Sequence, residues 1–367
     1  DFPRPVPASQ QRVFQGLNPD ISAIGDLLSD LSPGEPRWIG GEERFQMRET
    51  ELGIQAVVDP FFRVDFFMAV HPDGVELEEG YLTAVALPAG MQARVGRFHL
   101  PFGKVNLTHR PELLTVDYPL VIREFFGPEG FAANGLGWSK LITALGFFQE
   151  LQLYVLSGFE AGEHAGGAEH PEEGGGQGAL AGRRGLLEEL ALLGHLRNYW
   201  DLTRAAGLEV GLSGAAGSVE RVEPAACPGC APGEPVPEEV SLERRGYYGL
   251  DVTVRWRPPE RALYRSLVWN TELGAERGEG WTRWGGFTQV QWQVGRRWYV
   301  AGRFDAVEAG AGEEGWLRGG SGYLTFFPSE FSRFRLGVER LVGAGPGEWR
   351  AVVQTTFVLG PHRPHPF

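Results

Sequence analysis

The chain has 367 residues, 42% of them hydrophobic and 22% charged, with a net charge of -13 and a mean hydropathy of -0.20. The acidic balance argues against nucleic acid as a partner. No window of about 18 residues is free of charged and polar groups, which excludes a spanning helix. A membrane β-barrel remains open, because its lipid-facing and lumen-facing residues alternate and average to a polar composition.

In chain order, Asp1 with no Met and no apolar leading segment reads as a processed mature chain whose export signal has been removed. Residues 1–19 read as a periplasmic N-terminal segment. The segment from Ile21 to Leu31 fits either a strand or a short helix. From there period-2 alternation dominates, in stretches of about ten residues separated by turns. Between Phe62 and Val70, the residues Val64, Phe66, Met68 and Val70 oppose Arg63, Asp65 and Phe67. Leu250, Val252, Val254 and Trp256 oppose Asp251, Thr253, Arg255 and Arg257. Trp284, Gly286, Thr288, Val290, Trp292 and Val294 oppose Phe287, Gln289, Gln291 and Gln293. The last such stretch sets Trp349, Ala351, Val353, Phe357 and Leu359 against Arg350, Gln354 and Thr356.

About 16 segments of this kind run from 20–30 to 348–360, with 207–218 and 246–257 among them. Their connections alternate between short (Asp59-Pro60, Pro88-Ala89-Gly90, Gly295-Arg296-Arg297, Pro328-Ser329-Glu330) and long (104–130, 158–186, 219–245). Aromatic residues gather at segment ends beside the short turns: Phe61, Phe62, Tyr199, Trp200, Trp256, Tyr264, Trp298, Phe326, Phe327 and Phe331. The expected fold is all-β: one transmembrane antiparallel β-barrel over 1–367, with short periplasmic turns, long extracellular loops and an interfacial aromatic girdle. Its expected place is the bacterial outer membrane.

The stretch Arg94-Val95-Gly96-Arg97-Phe98-His99-Leu100-Pro101-Phe102-Gly103-Lys104 resembles the G-R-F-x-x-P-F-G motif of the phosphate-selective porin O and P group. Asn18-Pro19-Asp20-Ile21-Ser22 resembles the opening of uncharacterised outer-membrane barrels found with metal (zinc) uptake genes. The resemblance implies a 16-stranded channel, often a homotrimer in such families. Phosphate preference does not carry over, because the expected lumen face is mixed in charge. Arg63, Arg94, Arg255, Arg257, Arg303, Arg333 and Arg335 stand with Asp65, Glu51, Glu150, Asp251, Glu272, Asp305 and Glu339. Phe367 resembles a terminal barrel-assembly aromatic, although Pro361, Pro364 and Pro366 interrupt the 361–367 tail.

The 104–130 segment is too apolar for a free surface loop, with Leu113, Leu114, Tyr118, Leu120, Val121, Ile122, Phe125 and Phe126. Folded into the lumen, it would form a constriction carrying Arg110, Glu112, Asp117, Arg123 and Glu124; packing on the rim or on a partner subunit is the other reading. In the 158–186 loop, Glu163, His164, Glu169 and His170 have metal-ligand chemistry and point to weak zinc capture, against a solvated acidic loop. Cys227-Pro228-Gly229-Cys230 reads as a local disulfide or half a zinc site. His362 and His365 lie in the tail. His99 and His195 share their faces with Arg97 and Arg197 and read as lumen lining.

No Ser-His-Asp order, phosphate loop or H-E-x-x-H is present, so an enzyme is not expected and no cofactor is required. Three functions stay open: a porin-like channel for small hydrophilic solutes or ions, a metal-associated receptor or channel, and a closed structural barrel anchoring envelope components. Outer-membrane lipid is the expected surrounding partner.

Overall fold

Alternation becomes two faces once the strands pair. On Ser332–Val342, Phe334, Leu336 and Val338 point outward and are more than 40% exposed, while Arg333, Arg335 and Glu339 point inward and are buried. The polar residues are inside and the apolar ones outside, the reverse of a soluble core and the arrangement a lipid exterior demands. The computed structural model describes residues 19–34, 43–71, 74–159, 190–224, 238–310, 315–343 and 347–360.

Sixteen strands follow in order. They are β1 (Asp20–Asp30), β2 (Phe45–Val57), β3 (Phe62–His71), β4 (Gly74–Leu87), β5 (Met91–His99), β6 (Ala132–Ile142), β7 (Phe148–Leu156) and β8 (Ala191–Thr203). Then come β9 (Ala206–Pro224), β10 (Glu238–Trp256), β11 (Leu267–Gly278), β12 (Trp281–Gln293), β13 (Trp298–Glu308), β14 (Trp316–Ser329), β15 (Ser332–Val342) and β16 (Glu348–Leu359). Each pairs antiparallel with its neighbours in sequence, and β1 pairs with β16 from Ala23↔Leu359 to Asp30↔Val352, so the barrel is closed. Closure removes every sheet edge, which is what allows strands to cross hydrocarbon with no unpaired backbone. Among the described residues no helix is long and apolar enough to cross a membrane; the strands do the crossing.

Two rows of aromatics ring the outer surface. Near the short turns, Trp298 packs in a tilted pair with Phe326 at 4.6 Å and Phe147 with Trp200 at 5.0 Å, with Phe61, Tyr264 and Phe331 exposed beside them. The second row, at the other end, includes Phe45, Trp284, Trp316 and Trp349. Along β14, Trp316 and Phe326 are ten residues apart. At about 3.4 Å per residue and a tilt of about 45°, that is roughly 24 Å along the membrane normal, the height of an outer-membrane apolar band.

The ambiguous first segment is a strand. It carries Ser22, Asp26 and Asp30 on the buried side and supplies the closing seam. The 219–245 loop expectation is corrected: β9 and β10 stay paired out to Pro224↔Glu238. Past Leu212 the outward face of β9 thins to Gly214, Ala216 and Ser218, so no apolar alternation marks the continuation of the strand in sequence. The segment holding Cys227 and Cys230, and the 160–189 stretch with Glu163, His164, Glu169 and His170, lie outside the described residues, as do 1–18 and the 361–367 tail.

Candidate functional site

The motif at the end of β5 turns the chain into the lumen. Gly96 has φ 135°, and a Cβ there would lie 2.1 Å from the Gly80 carbonyl oxygen. Gly103 has φ 68°, and its Cβ would lie 2.1 Å from the Glu272 carboxylate. That carboxylate accepts the backbone N–H groups of Lys104 and Val105, both at 2.9 Å. Only glycine fits both the backbone and the space at these positions. Asn106 stitches the two ends of the excursion together: its Nδ2 donates to the carbonyls of Leu100 and Phe131, both at 2.8 Å, and its Oδ1 accepts from Phe131 N at 2.7 Å.

From Leu100 to Phe131 the chain crosses the barrel interior, through 3-10 turns at Val105–Leu107 and Arg110–Glu112 and a short α-helix, α1 (Leu120–Phe126). Phe126 stacks on Phe131 at 4.1 Å, and both pack near Phe102 and Tyr247, while Leu113, Val116, Tyr118, Leu120 and Ile122 are fully covered. An irregular backbone at membrane depth needs partners for its polar groups, and the wall supplies them. Arg335 donates to Leu113 O at 2.7 Å and also reaches Thr115 O. Arg303 donates to Asp117 O at 2.7 Å and Thr115 Oγ1 at 2.6 Å. Arg283 donates to Glu124 O at 2.6 Å, and Arg333 reaches Pro111 O. Asp305 accepts Leu120 N at 2.9 Å.

Two β-bulges aim further charges at the segment. In β2 the pairing passes from Asp26↔Glu49 to Leu27↔Met47, leaving Arg48 as the extra residue. Arg48 therefore points inward together with Glu49, pairs with Asp26, and donates to Val116 O at 3.0 Å and Asp117 Oδ1 at 2.9 Å. In β4 the pairing passes from Phe67↔Glu79 to Met68↔Leu77, leaving Glu78 extra. A regular strand sends neighbours to opposite faces; the bulge turns both Glu78 and Glu79 inward. Between them sits His109, fully buried, with Nδ1 2.9 Å from Glu51 Oε2 and 3.3 Å from Glu78 Oε2, and Nε2 3.3 Å from Glu79 Oε2. Burial opposes its charged form, but Glu51 and Glu78 outweigh that and hold the imidazole well above its ordinary pKa. The His99 ring is 5.1 Å away, its Nδ1 2.9 Å from Asn106 O.

The five expected constriction residues do not form one ring. Arg110 pairs with Glu49 and Glu129, both at 2.8 Å. Asp117 pairs with Arg48 and lies 4.0 Å from Arg123. Burial is the largest influence on Asp117 and opposes ionisation, but the arginines, Arg48 first, hold its carboxyl below the usual range. Glu112 lies apart, toward the short turns, where burial and then Glu51 push it up to about 7. Glu124 offers its carbonyl to Arg283.

The expected lumen arginines divide as well. Arg303, Arg333 and Arg335 are covered by the loop. Arg63 pairs with Asp65 at 2.6 Å, and Arg94 lies over the Tyr81 ring at 5.2 Å; both line a cavity of about 320 Å³. Lys104, His195, Arg197, Glu209 and Asp251 line the same space, and Lys104 forms an ion pair with Glu209. Burial lowers the Lys104 pKa to about 8 against that pair. Arg255 sits next to this group, and Arg257 is exposed at the short-turn rim, donating to Ala262 O at 3.2 Å. A second cavity, of about 550 Å³, lies on the far side of the loop between Glu112 and the β14–β15 turn. Sequence reading missed His109, Glu78, Glu79 and Arg48. The doubled acids after Leu77 break the period of two, and that break is the signal of the bulge.

No family profile matches the chain. It is 27% identical over 399 aligned residues to an uncharacterized protein of Aquifex aeolicus, covering 96% of this chain and 78% of that one. Among solved structures it resembles Pseudomonas putida OprB (TM-score 0.58, 8% identity, 96% of each chain). It also resembles an anion-selective porin from Comamonas acidovorans (TM-score 0.56, 9% identity, 94% of this chain and 99% of that). The trimer form of the Vibrio cholerae outer-membrane protein OmpT is similar too (TM-score 0.56, 7% identity, 93% and 99%). At these identities the likeness is one of fold: the chain has the architecture of outer-membrane porins.

Proposed function

We propose that the chain is an outer-membrane, porin-like channel for passive diffusion of small hydrophilic solutes or ions, not an enzyme. The observation that carries this reading is a closed 16-stranded barrel with a polar inner wall, narrowed among the described residues by the 100–131 segment pinned across it. Pore selectivity arises from size and charge at a narrow point. The cavity beside the segment has mixed charge, with Arg63, Arg94, Lys104 and Arg197 alongside Asp65, Glu209 and Asp251, which suits small solutes of either sign better than a dedicated anion. A homotrimer in outer-membrane lipid fits the fold and the trimeric form of the similar Vibrio cholerae protein.

A closed structural barrel is the second reading. The covering of Arg303, Arg333 and Arg335 by the loop favours it, because a wide channel would leave those charges to water. Planar-bilayer recording of the folded, purified protein separates the two. Stable unitary steps in simple salt are expected, with reversal potentials shifted toward cations when Arg94 and Lys104 are changed to Gln. A folded, heat-modifiable barrel that never conducts would refute the channel and leave the structural reading.

A further inference from the structure

We infer that Glu51, Glu78 and His109 form a binding site for one divalent transition-metal cation of the zinc class, clipping the inward loop to β2 and β4. Their three ligand atoms, one per residue, lie within 4.8 Å of one another. Two metal bonds of about 2.05 Å at the tetrahedral angle separate their donor atoms by roughly 3.3 Å. The spacings from His109 Nδ1, 2.9 Å to Glu51 and 3.3 Å to Glu78, are of that size.

The independent sign is Glu78. Its side chain is nine-tenths buried, and Oε2 lies 3.3 Å from His109 Nδ1 yet accepts no hydrogen bond. One imidazole nitrogen carries at most one proton, and Glu51 at 2.9 Å takes that bond. A buried carboxylate oxygen without a donor is costly, and a bulge in β4 has been built that turns it inward. A cation at Nδ1 would satisfy Glu51 and Glu78 together, which a proton does not.

The surroundings complete the arrangement. Nε2 of His109 faces Glu79 Oε2 at 3.3 Å, and Glu79 is itself held by the backbone N–H of His99 at 2.7 Å. A metal-bound histidine whose other nitrogen donates to an anchored carboxylate is the usual outer-shell pattern. One imidazole and two carboxylates, with a fourth position left for water, suit zinc-class ions more than magnesium or calcium, which take oxygen-only shells. The inference stands apart from whether the barrel conducts.

The test is calorimetric titration of the detergent-folded full chain with zinc chloride, comparing wild type, Glu78→Gln, His109→Gln and Glu79→Gln. Heat-modifiable gel mobility shows that each is folded. Glu78→Gln and His109→Gln are expected to bind one zinc ion fewer than wild type. Glu79→Gln should bind the same number, with this site about 10–100-fold weaker. Zinc should raise the unfolding temperature of wild type more than that of Glu78→Gln. Wild-type stoichiometry and affinity in Glu78→Gln would overturn the inference, because zinc would then be held by other groups on the chain; so would the absence of zinc binding by wild type. If His109→Gln does not fold, Glu78→Gln decides alone, since it keeps the Glu51–His109 hydrogen bond.

Discussion

Glu112 is a single side chain whose environment sets a measurable pH dependence. Burial, with Glu51 adding, raises its carboxyl from an ordinary 4.5 to about 7. The folded state then holds this proton more tightly than the unfolded chain. The stability it contributes is full below about pH 4.5 and is lost as pH rises through 7. The expected outcome is that the unfolding temperature of wild type falls, relative to Glu112→Gln, as pH is raised from 4.5 to above 7. Parallel profiles for the two proteins would show that Glu112 titrates normally.

At the scale of the element, the inward segment is held by two kinds of contact. Apolar side chains from Leu113 to Phe126 pack on one another and on inward residues such as Tyr247 and Phe287. Charged wall residues cap its backbone: Arg283, Arg303, Arg333 and Arg335 on carbonyls, Glu272 and Asp305 on N–H groups. Hydrogen bonds to charged groups contribute about 1.5–3 kcal/mol each, so the segment is a fixed partition rather than a hanging loop. The strands, by contrast, pair with each other all the way round without its help. Replacing 104–130 by a short Gly-Ser linker is therefore expected to leave a folded, heat-modifiable barrel whose unitary conductance rises several-fold. Unchanged conductance in the folded variant would place the narrowing elsewhere.

For the whole molecule, the inverted distribution of polarity makes lipid part of the fold. Leu336 is 45% exposed in the middle of β15, between the two aromatic rows. Leu336→Arg should destabilise the barrel in bilayers by about 2–4 kcal/mol, the cost of a cation at the midplane. Equilibrium denaturant titration in lipid vesicles measures it. A change near zero would mean that this face is covered by a neighbouring subunit or by water instead of lipid.

The sequence by itself determined the strand architecture. In a barrel each residue's face is decided by its own place in a period of two, and Leu250 to Arg257 or Phe62 to Val70 carry that choice locally. The parity of the segments and the alternation of short and long connections supplied closure. The need of the 104–130 segment for burial was legible from its apolar residues. Where its charges go was not: the Lys104–Glu209, Arg110–Glu49 and His109–Glu51 pairs join residues far apart in the chain, and nothing periodic encodes such partners. Tertiary structure alone decided that Arg303, Arg333 and Arg335 cap a loop rather than face water, and that two bulges turn Arg48 and Glu78 inward. The physical reason is that side-chain alternation is a local property of one strand, whereas ion pairing is settled only when the closed wall and the crossing segment compete for the same buried space.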